Sequence, residues 1–280
     1  MRTASKKENG LTLIELLVAL VVASVLVTGI YRHFVTQQHT YVVQEQVVDM
    51  QQNLRMAINQ LSREIRMAGF GNISMILPVT IGSNTYNDVL NPETPGAGAL
   101  TILSTIEDKA TLRTAALKGQ NQIYLSKLTD MSGASLFDLD KKKHISIGGV
   151  ESHTISSIDT VNQTITLSRT LTLNHLVNTP VFPIRAISYQ LGMEGGVSTL
   201  KRDENTGMGS QPQADNIEGL QFEYLDSNGI PTATLADIRI IRVTLTARTD
   251  RVDPQTKGGD GYRRRQIATS IRLRNLGLES

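Results

Sequence analysis

No group of side chains in this sequence has the spacing that catalysis needs. The five histidines, His33, His39, His144, His153 and His175, form no i, i+4 pair and no other metal-ligand spacing. They are expected as core or surface residues. There is no cysteine, no phosphate loop and no Gly-x-Ser-x-Gly elbow, and the serines fall in strands and turns outside any motif. No catalytic residue, metal or cofactor is expected, and the chain does not read as an enzyme. Two constellations have the chemistry to hold ions. Asp138 with Asp140, and Asp226 with Asn228, offer oxygen ligands of the kind calcium prefers, but Asx-type hydrogen bonds within turns explain them more simply. Arg239, Arg242, Arg248, Arg251, Arg263, Arg264, Arg265, Arg272 and Arg274 crowd the C-terminal strands, as they would in a protein that grips DNA phosphates. The simpler reading is the solvated face of an amphipathic hairpin, where arginine also discourages edge-to-edge pairing. Neither calcium nor nucleic acid is the expected partner.

One carboxylate is out of place. Glu15 is the only charge in the apolar run Leu11 to Ile30. A charge near the middle of a membrane helix costs roughly 2.5–3.5 kcal/mol on insertion scales. Glu15 sits only about a turn from Gly10, which lowers the cost, but a partner is still needed. The run itself, at 1.5 Å per residue, extends roughly 30 Å and is long enough to cross a bilayer. Ahead of it lies the short leader Met1 to Gly10, in which Arg2, Lys6 and Lys7 outweigh Glu8. That basic flank predicts a cytoplasmic leader with the rest exported, giving a single-pass inner-membrane protein with a periplasmic head. An ordinary signal peptide has a shorter apolar region and a small-residue cleavage site at its far end. Here the run is longer and leads straight into a further helical pattern. The formal charge of +2 does not by itself imply a nucleic-acid partner. An aromatic content of 4%, with no Trp, argues against a carbohydrate cleft or a base-stacking platform.

The stretch Gly10-Leu11-Thr12-Leu13-Ile14-Glu15-Leu16-Leu17-Val18-Ala19 resembles the class III signal of type IV pilins and type II secretion pseudopilins. The resemblance implies that a prepilin peptidase cuts after Gly10 on the cytoplasmic face and methylates the new amino terminus at Leu11. Glu15, fifth in the mature chain, would then pair with a neighbouring subunit's terminal amine in the growing fibre, which compensates the buried charge. Most members begin the mature chain with Phe; here it is Leu11, an apolar replacement. The segments from Met50 to Arg55 and from Leu61 to Gly71, with their Arg-x-Ala-Gly ending, resemble the long-helix end of PilW-type minor pilins and, more loosely, of J-type pseudopilins. Asp215 to Tyr224 and Ser270 to Asn275 resemble the PilW type as well.

No proline occurs before Pro78, so nothing forces the helix to stop at Ile30. Apolar residues recur at Val43, Val47, Met50, Leu54, Ile58, Leu61, Ile65 and Ala68, one helical stripe. Gln44, Glu45, Gln52, Arg55, Asn59, Arg63 and Arg66 line the opposite face, and Gly69 and Gly71 offer a stop. A helix from Leu11 to Ala68 extends roughly 87 Å. From Asn72 the pattern alternates. Strands are expected at Leu100–Thr105, Gln122–Lys127, Ile145–Ile147 and within Ile155–Leu167, with a hairpin of Ala186–Leu191 and Val197–Lys201. Gly219–Leu225 is expected to continue that sheet. The last two strands carry Val243, Leu245, Ala247 and Ile267, Thr269, Ile271, Leu273 as antiparallel neighbours. Asn91–Gly98 and Asp203–Asn216 read as loops.

The expected architecture is α+β: a long N-terminal helix, transmembrane in its first half and amphipathic in its second, packed on an antiparallel β-sheet head. The expected divisions are a leader at 1–10, a membrane and fibre-core helix at 11–30, its amphipathic continuation at 31–70 and a head at 71–280. The resemblance implies a minor pilin that assembles into, primes or caps a type IV pilus. Its partners would be other minor and major pilins, the prepilin peptidase and the membrane assembly platform. A J-type pseudopilin of a type II secretion system is the nearest alternative, and length favours the pilin. A membrane-tethered adhesin or DNA receptor is the alternative of another class.

Overall fold

A computed structural model of the chain describes residues 12–92, 98–105, 108–256 and 259–276. The leader, with Gly10, and Leu11 lie outside these residues. With no proline or internal breaker, α1 runs unbroken from Leu13 to Arg66, 54 residues or about 81 Å. Its last turn tightens, with the Met67 and Ala68 amides bonding to the Glu64 and Ile65 carbonyls. Gly69, at φ 76°, then turns the chain out of the helix, and its amide bonds to the Leu103 carbonyl of the head at 3.0 Å.

The chain forms two compact units that divide within α1, between Asp49 and Met50. In the first unit the helix is exposed from Leu13 through Val35, and from Leu16 through Tyr31 it carries no charge on any side. Its length and composition suffice to cross a membrane. The hydroxyls in and just beyond this stretch are satisfied locally: Ser24, Thr28, Thr36 and Thr40 each donate to the carbonyl four residues back, at 2.6–2.9 Å. A lipid-facing helix has no water to do this.

In the second unit the helix is one-sided, as expected. Met50, Leu54, Ala57, Ile58, Leu61 and Ile65 are buried, while Gln52, Arg55, Asn59, Arg63 and Arg66 are exposed. Each large apolar side chain so buried stabilises the fold by about 1.5–3 kcal/mol. Polar contacts fix the helix end to the head. The Tyr189 hydroxyl donates to Glu64 Oε2 at 2.6 Å, Arg202 Nε donates to both Glu64 oxygens, and Asn275 Nδ2 donates to the Ala68 carbonyl at 3.2 Å.

The head is antiparallel throughout. A small hairpin joins β1 (Val79–Ile81) to β2 (Asn84–Tyr86). The large sheet comprises β3 (Leu90–Pro92), β4 (Leu100–Thr105), β5 (Ala110–Thr111), β6 (Gln122–Tyr124), β7 (His144–Ile147), β8 (Glu151–Asp159), β9 (Thr164–Leu167), β10 (Pro180–Glu194), β11 (Val197–Asp203) and β12 (Gln211–Asp215). Its spine is β10, which pairs with β11, β4, β5 and β7 along its length. Around β5 to β9 a core of Leu112, Ile123, Leu125, Ile145, Ile147, Ile165 and Val181 is fully buried. A separate sheet of β13 (Ile217–Leu225), β14 (Ile240–Arg248) and β15 (Arg264–Arg272) closes the chain. Val243, Leu245 and Ala247 line its buried face, with Thr269, Ile267 and Arg265 opposite them.

The fold is thus α+β, with three departures in the head. Gly219–Leu225 opens this separate sheet instead of continuing the large one. The stretch Asp203–Asn216 holds a strand, β12, whose Gln-Pro-Gln-Ala-Asp sequence has no alternation to reveal it. Pro212 is tolerated there because β12 is the end strand of its sheet. In Asn91–Gly98, Asn91 and Pro92 belong to β3, and 93–97 lie outside the described residues.

Candidate functional site

The first site is the start of α1. Thr12 and Glu15 form a capping box. The Thr12 amide and hydroxyl donate to Glu15 Oε2 at 2.9 and 2.8 Å, and the Glu15 amide donates to Thr12 Oγ1 at 3.3 Å. Sequence reasoning missed this, although Thr-x-x-Glu ahead of an apolar run is its signature. The arrangement gives Glu15 a local partner without using up the carboxylate. Among the described residues Oε1 accepts no hydrogen bond. Glu15 is exposed on the helix, so an anionic oxygen, held in one orientation, is presented to whatever packs beside the helix. Gly10 and Leu11, the expected processing pair, lie outside the described residues.

The second site is a groove in the head, with a volume of 940 Å³. Arg63, Glu64, Met67 and Phe70 from the helix end face Phe182, Arg185 and Ile187 of β10 across it, and Arg202 and Glu204 close one side. Phe70 and Phe182 meet edge to face with ring centroids 5.7 Å apart, and the Lys109 ammonium sits 5.8 Å over the Phe182 ring. Charges alternate along one wall. Glu64 accepts from Tyr189 and Arg202, Arg202 Nη1 donates to Glu204 Oε1 at 2.8 Å, and Glu204 Oε2 accepts from Arg185 Nη1 at 2.9 Å. Burial and the adjacent Glu64 carboxylate push the Tyr189 hydroxyl far above its usual pKa. Arg185 ends the chain of charges. Its side chain is 8% exposed, and its Nε is buried with no hydrogen-bond partner. An unmet buried donor of this kind costs about 1–3 kcal/mol.

A third cluster is wholly buried. Both oxygens of Glu151 are engaged: His175 Nε2 lies 2.9 Å from Oε2, His153 Nε2 lies 3.0 Å from Oε1, and the Thr172 hydroxyl donates to Oε1 at 2.8 Å. The His153 contact is an ion-pair distance without hydrogen-bond alignment. Because the two rings meet opposite oxygens of one carboxylate, they do not converge on a common point where a metal could sit. Glu151 and His153, two apart on β8, share a face; His175 arrives from a distant loop, so no local pattern announces the cluster. Burial raises the Glu151 pKa, but the Thr172 amide, the His175 ring, the Thr172 hydroxyl and the His153 ring together hold it at about 2. Burial also lowers the pKa of His153 and of His144 from 6.5.

These shifts fix the pH dependence of stability. The unfolded chain takes up protons on His153 and His144 before the folded one does, so stability falls as pH drops below 6.5. A further loss follows as pH falls from 4.5 toward about 2, because unfolded Glu151 protonates first. Denaturant midpoints measured from pH 7 to 3 should show both steps. Glu151→Gln should remove up to about 3 kcal/mol of the second.

The remaining candidates resolve into turns and surface pairs. Asp138 Oδ1 accepts from the amides of Asp140, Lys141 and Lys142, and Asp226 Oδ1 from those of Asn228 and Ile230. These are the Asx hydrogen bonds expected of such turns. Of the C-terminal arginines, Arg242 pairs with Glu223, Arg248 and Arg264 with Glu218, Arg263 with Asp253 and Arg251 with Asp250. Arg248 also stacks 4.2 Å from the Tyr262 ring. His33 is exposed on α1, and His39 is partly so.

Comparison with known families matches residues 5–31 to the prokaryotic N-terminal methylation motif. Together with an apolar helix able to cross a membrane, ahead of a β-rich head, this motif supports a pilin-like protein, pilus- or pseudopilus-related. The class is structural rather than enzymatic, and its motif implies processing by a prepilin peptidase, membrane anchoring and assembly with other pilins. No curated protein and no solved structure matches the chain.

Proposed function

We propose that the chain is a minor pilin of the PilW type, which enters a type IV pilus through α1 and primes or caps its assembly. The observation that carries this reading is Glu15, the only charge in the apolar run from Leu11 to Ile30, lying inside the methylation motif and presenting an oxygen that accepts no hydrogen bond among the described residues. In this reading the peptidase cuts after Gly10 and methylates Leu11. The Leu11 amine of one subunit then meets Glu15 of a neighbour, while the head, in the periplasm before assembly, contacts other minor pilins. Mechanical shearing of cells separates surface fibres from membranes. The mature chain is expected in the sheared fraction, at a small ratio to the major subunit, and loss of the chain should lower the number of fibres. Recovery from membranes alone would instead favour a tethered adhesin or receptor. Intact fibres with failed protein export would favour the J-type pseudopilin.

A further inference from the structure

We propose that the head groove is a receptor for an acidic peptide segment of a partner protein, whose carboxylate closes onto the Arg185 guanidinium. This inference concerns the head alone and stands whether or not the chain enters a fibre.

Opposite charges follow one another in order along the groove wall. Glu64 is shared by Tyr189 and Arg202, Arg202 by Glu64 and Glu204, and Glu204 by Arg202 and Arg185. Each inner member touches an opposite charge on both sides. Arg185 touches only one, through Nη1, and its Nε is buried and unbonded. A guanidinium offers five N–H donors in a planar fork matched to a carboxylate. Here that fork is nine-tenths buried at the edge of a cavity and almost unused. Asp108 and Asp138 are close enough for their charges to be felt, but neither makes a hydrogen bond to Arg185. The next member of the alternating series is therefore an anion from outside.

The rest of the lining selects the kind of anion. Glu204, Asp108 and Asp130 already face the groove, so a phosphate dianion or a polyanionic strand meets more repulsion than a single carboxylate does. Phe70, Phe182, Met67 and Ile187 form an apolar wall beside Arg185, with the Lys109 ammonium over the outer ring. That surface suits a carboxylate flanked by apolar side chains, and peptide carbonyls can take the remaining N–H donors. The volume, 940 Å³, lies within the range of about 300–1,000 Å³ that ligand sites occupy.

The test uses the full chain in detergent micelles and a fluorescein-labelled, end-blocked peptide with one glutamate flanked by leucine and phenylalanine. Fluorescence anisotropy should show saturable binding. Changing the peptide's glutamate to glutamine should weaken it at least about tenfold, as should Arg185→Met in the protein. Arg185→Lys, which keeps the charge and loses the fork, should recover only part of the affinity. If Arg185→Met does not fold, Lys109→Gln on the exposed rim serves instead and should weaken binding severalfold. Inorganic phosphate should fail to compete where acetate does. Equal binding of the glutamine peptide, indifference to both protein changes, or displacement by phosphate in preference to acetate would each overturn the proposal.

Discussion

In cells carrying Glu15→Ala, the chain is expected to be made, processed and held in the membrane, yet to be reduced about tenfold or more in sheared fibres. Two effects of the substitution must be separated. Removing the carboxylate breaks the capping box with Thr12, worth about 0.5–2 kcal/mol of helix stability. It also removes the negative charge that a neighbour's amine is proposed to meet. Glu15→Gln tells the two apart. Glutamine can still accept from the Thr12 amide and rebuild the box, but it carries no charge. A fibre defect as severe with glutamine as with alanine assigns the effect to the charge. A chain that assembles normally with glutamine assigns it to helix capping, and the pairing of Glu15 with a terminal amine fails.

Glu64→Ala is expected to cost the head about 2–4 kcal/mol, because it strands the Tyr189 hydroxyl and leaves Arg202 with Glu204 as its remaining carboxylate. Tyr189 is almost wholly buried and has no proton acceptor besides Glu64, and the Arg202 side chain is 16% exposed. Their contacts reach from α1 to β10 and β11, so the loss should appear as lower global stability and not as local fraying. A midpoint lower by roughly 10 °C in thermal melting of the full chain is the expected size. Glu64→Gln, which keeps an acceptor for the Tyr189 hydroxyl, should cost less. Pairing Glu64→Ala with Arg202→Met should cost less than the sum of the two, since the contact between them can be lost only once. Full additivity would show that the pair contributes nothing beyond its separate packing.

Legibility differed sharply along the chain. The helix could be read because its signals are local: an apolar run, then a stripe from Met50 to Ala68 opposed by Arg55, Asn59 and Arg63, then glycines. Strand β4 could be read for the same reason, and Leu100–Thr105 matches the expected bounds. The last hairpin announced itself through alternation at Val243, Leu245 and Ala247. What sequence could not reveal was pairing at a distance. β10 joins four other strands in different registers along its length, and no property of Pro180–Glu194 says which four. The same limit hid both polar clusters of the head. Glu64, Arg202, Glu204 and Arg185 come from one helix, two neighbouring strands and the loop just after one of them, and Glu151 meets His175 across a loop. Each residue looks ordinary alone. The capping box is the exception: Thr12 and Glu15 are three apart, and their pattern was present to be read.

The pilin reading rests on what happens at Gly10 and Leu11, and intact mass with N-terminal analysis tests it most directly. The protein would be isolated from cells with and without the prepilin peptidase. The account predicts a peptidase-dependent loss of Met1 to Gly10 and a methyl group on the Leu11 amine. An uncut chain in both strains, or a cut near Ile30 by ordinary signal peptidase, would contradict it and leave a tethered or secreted binding protein.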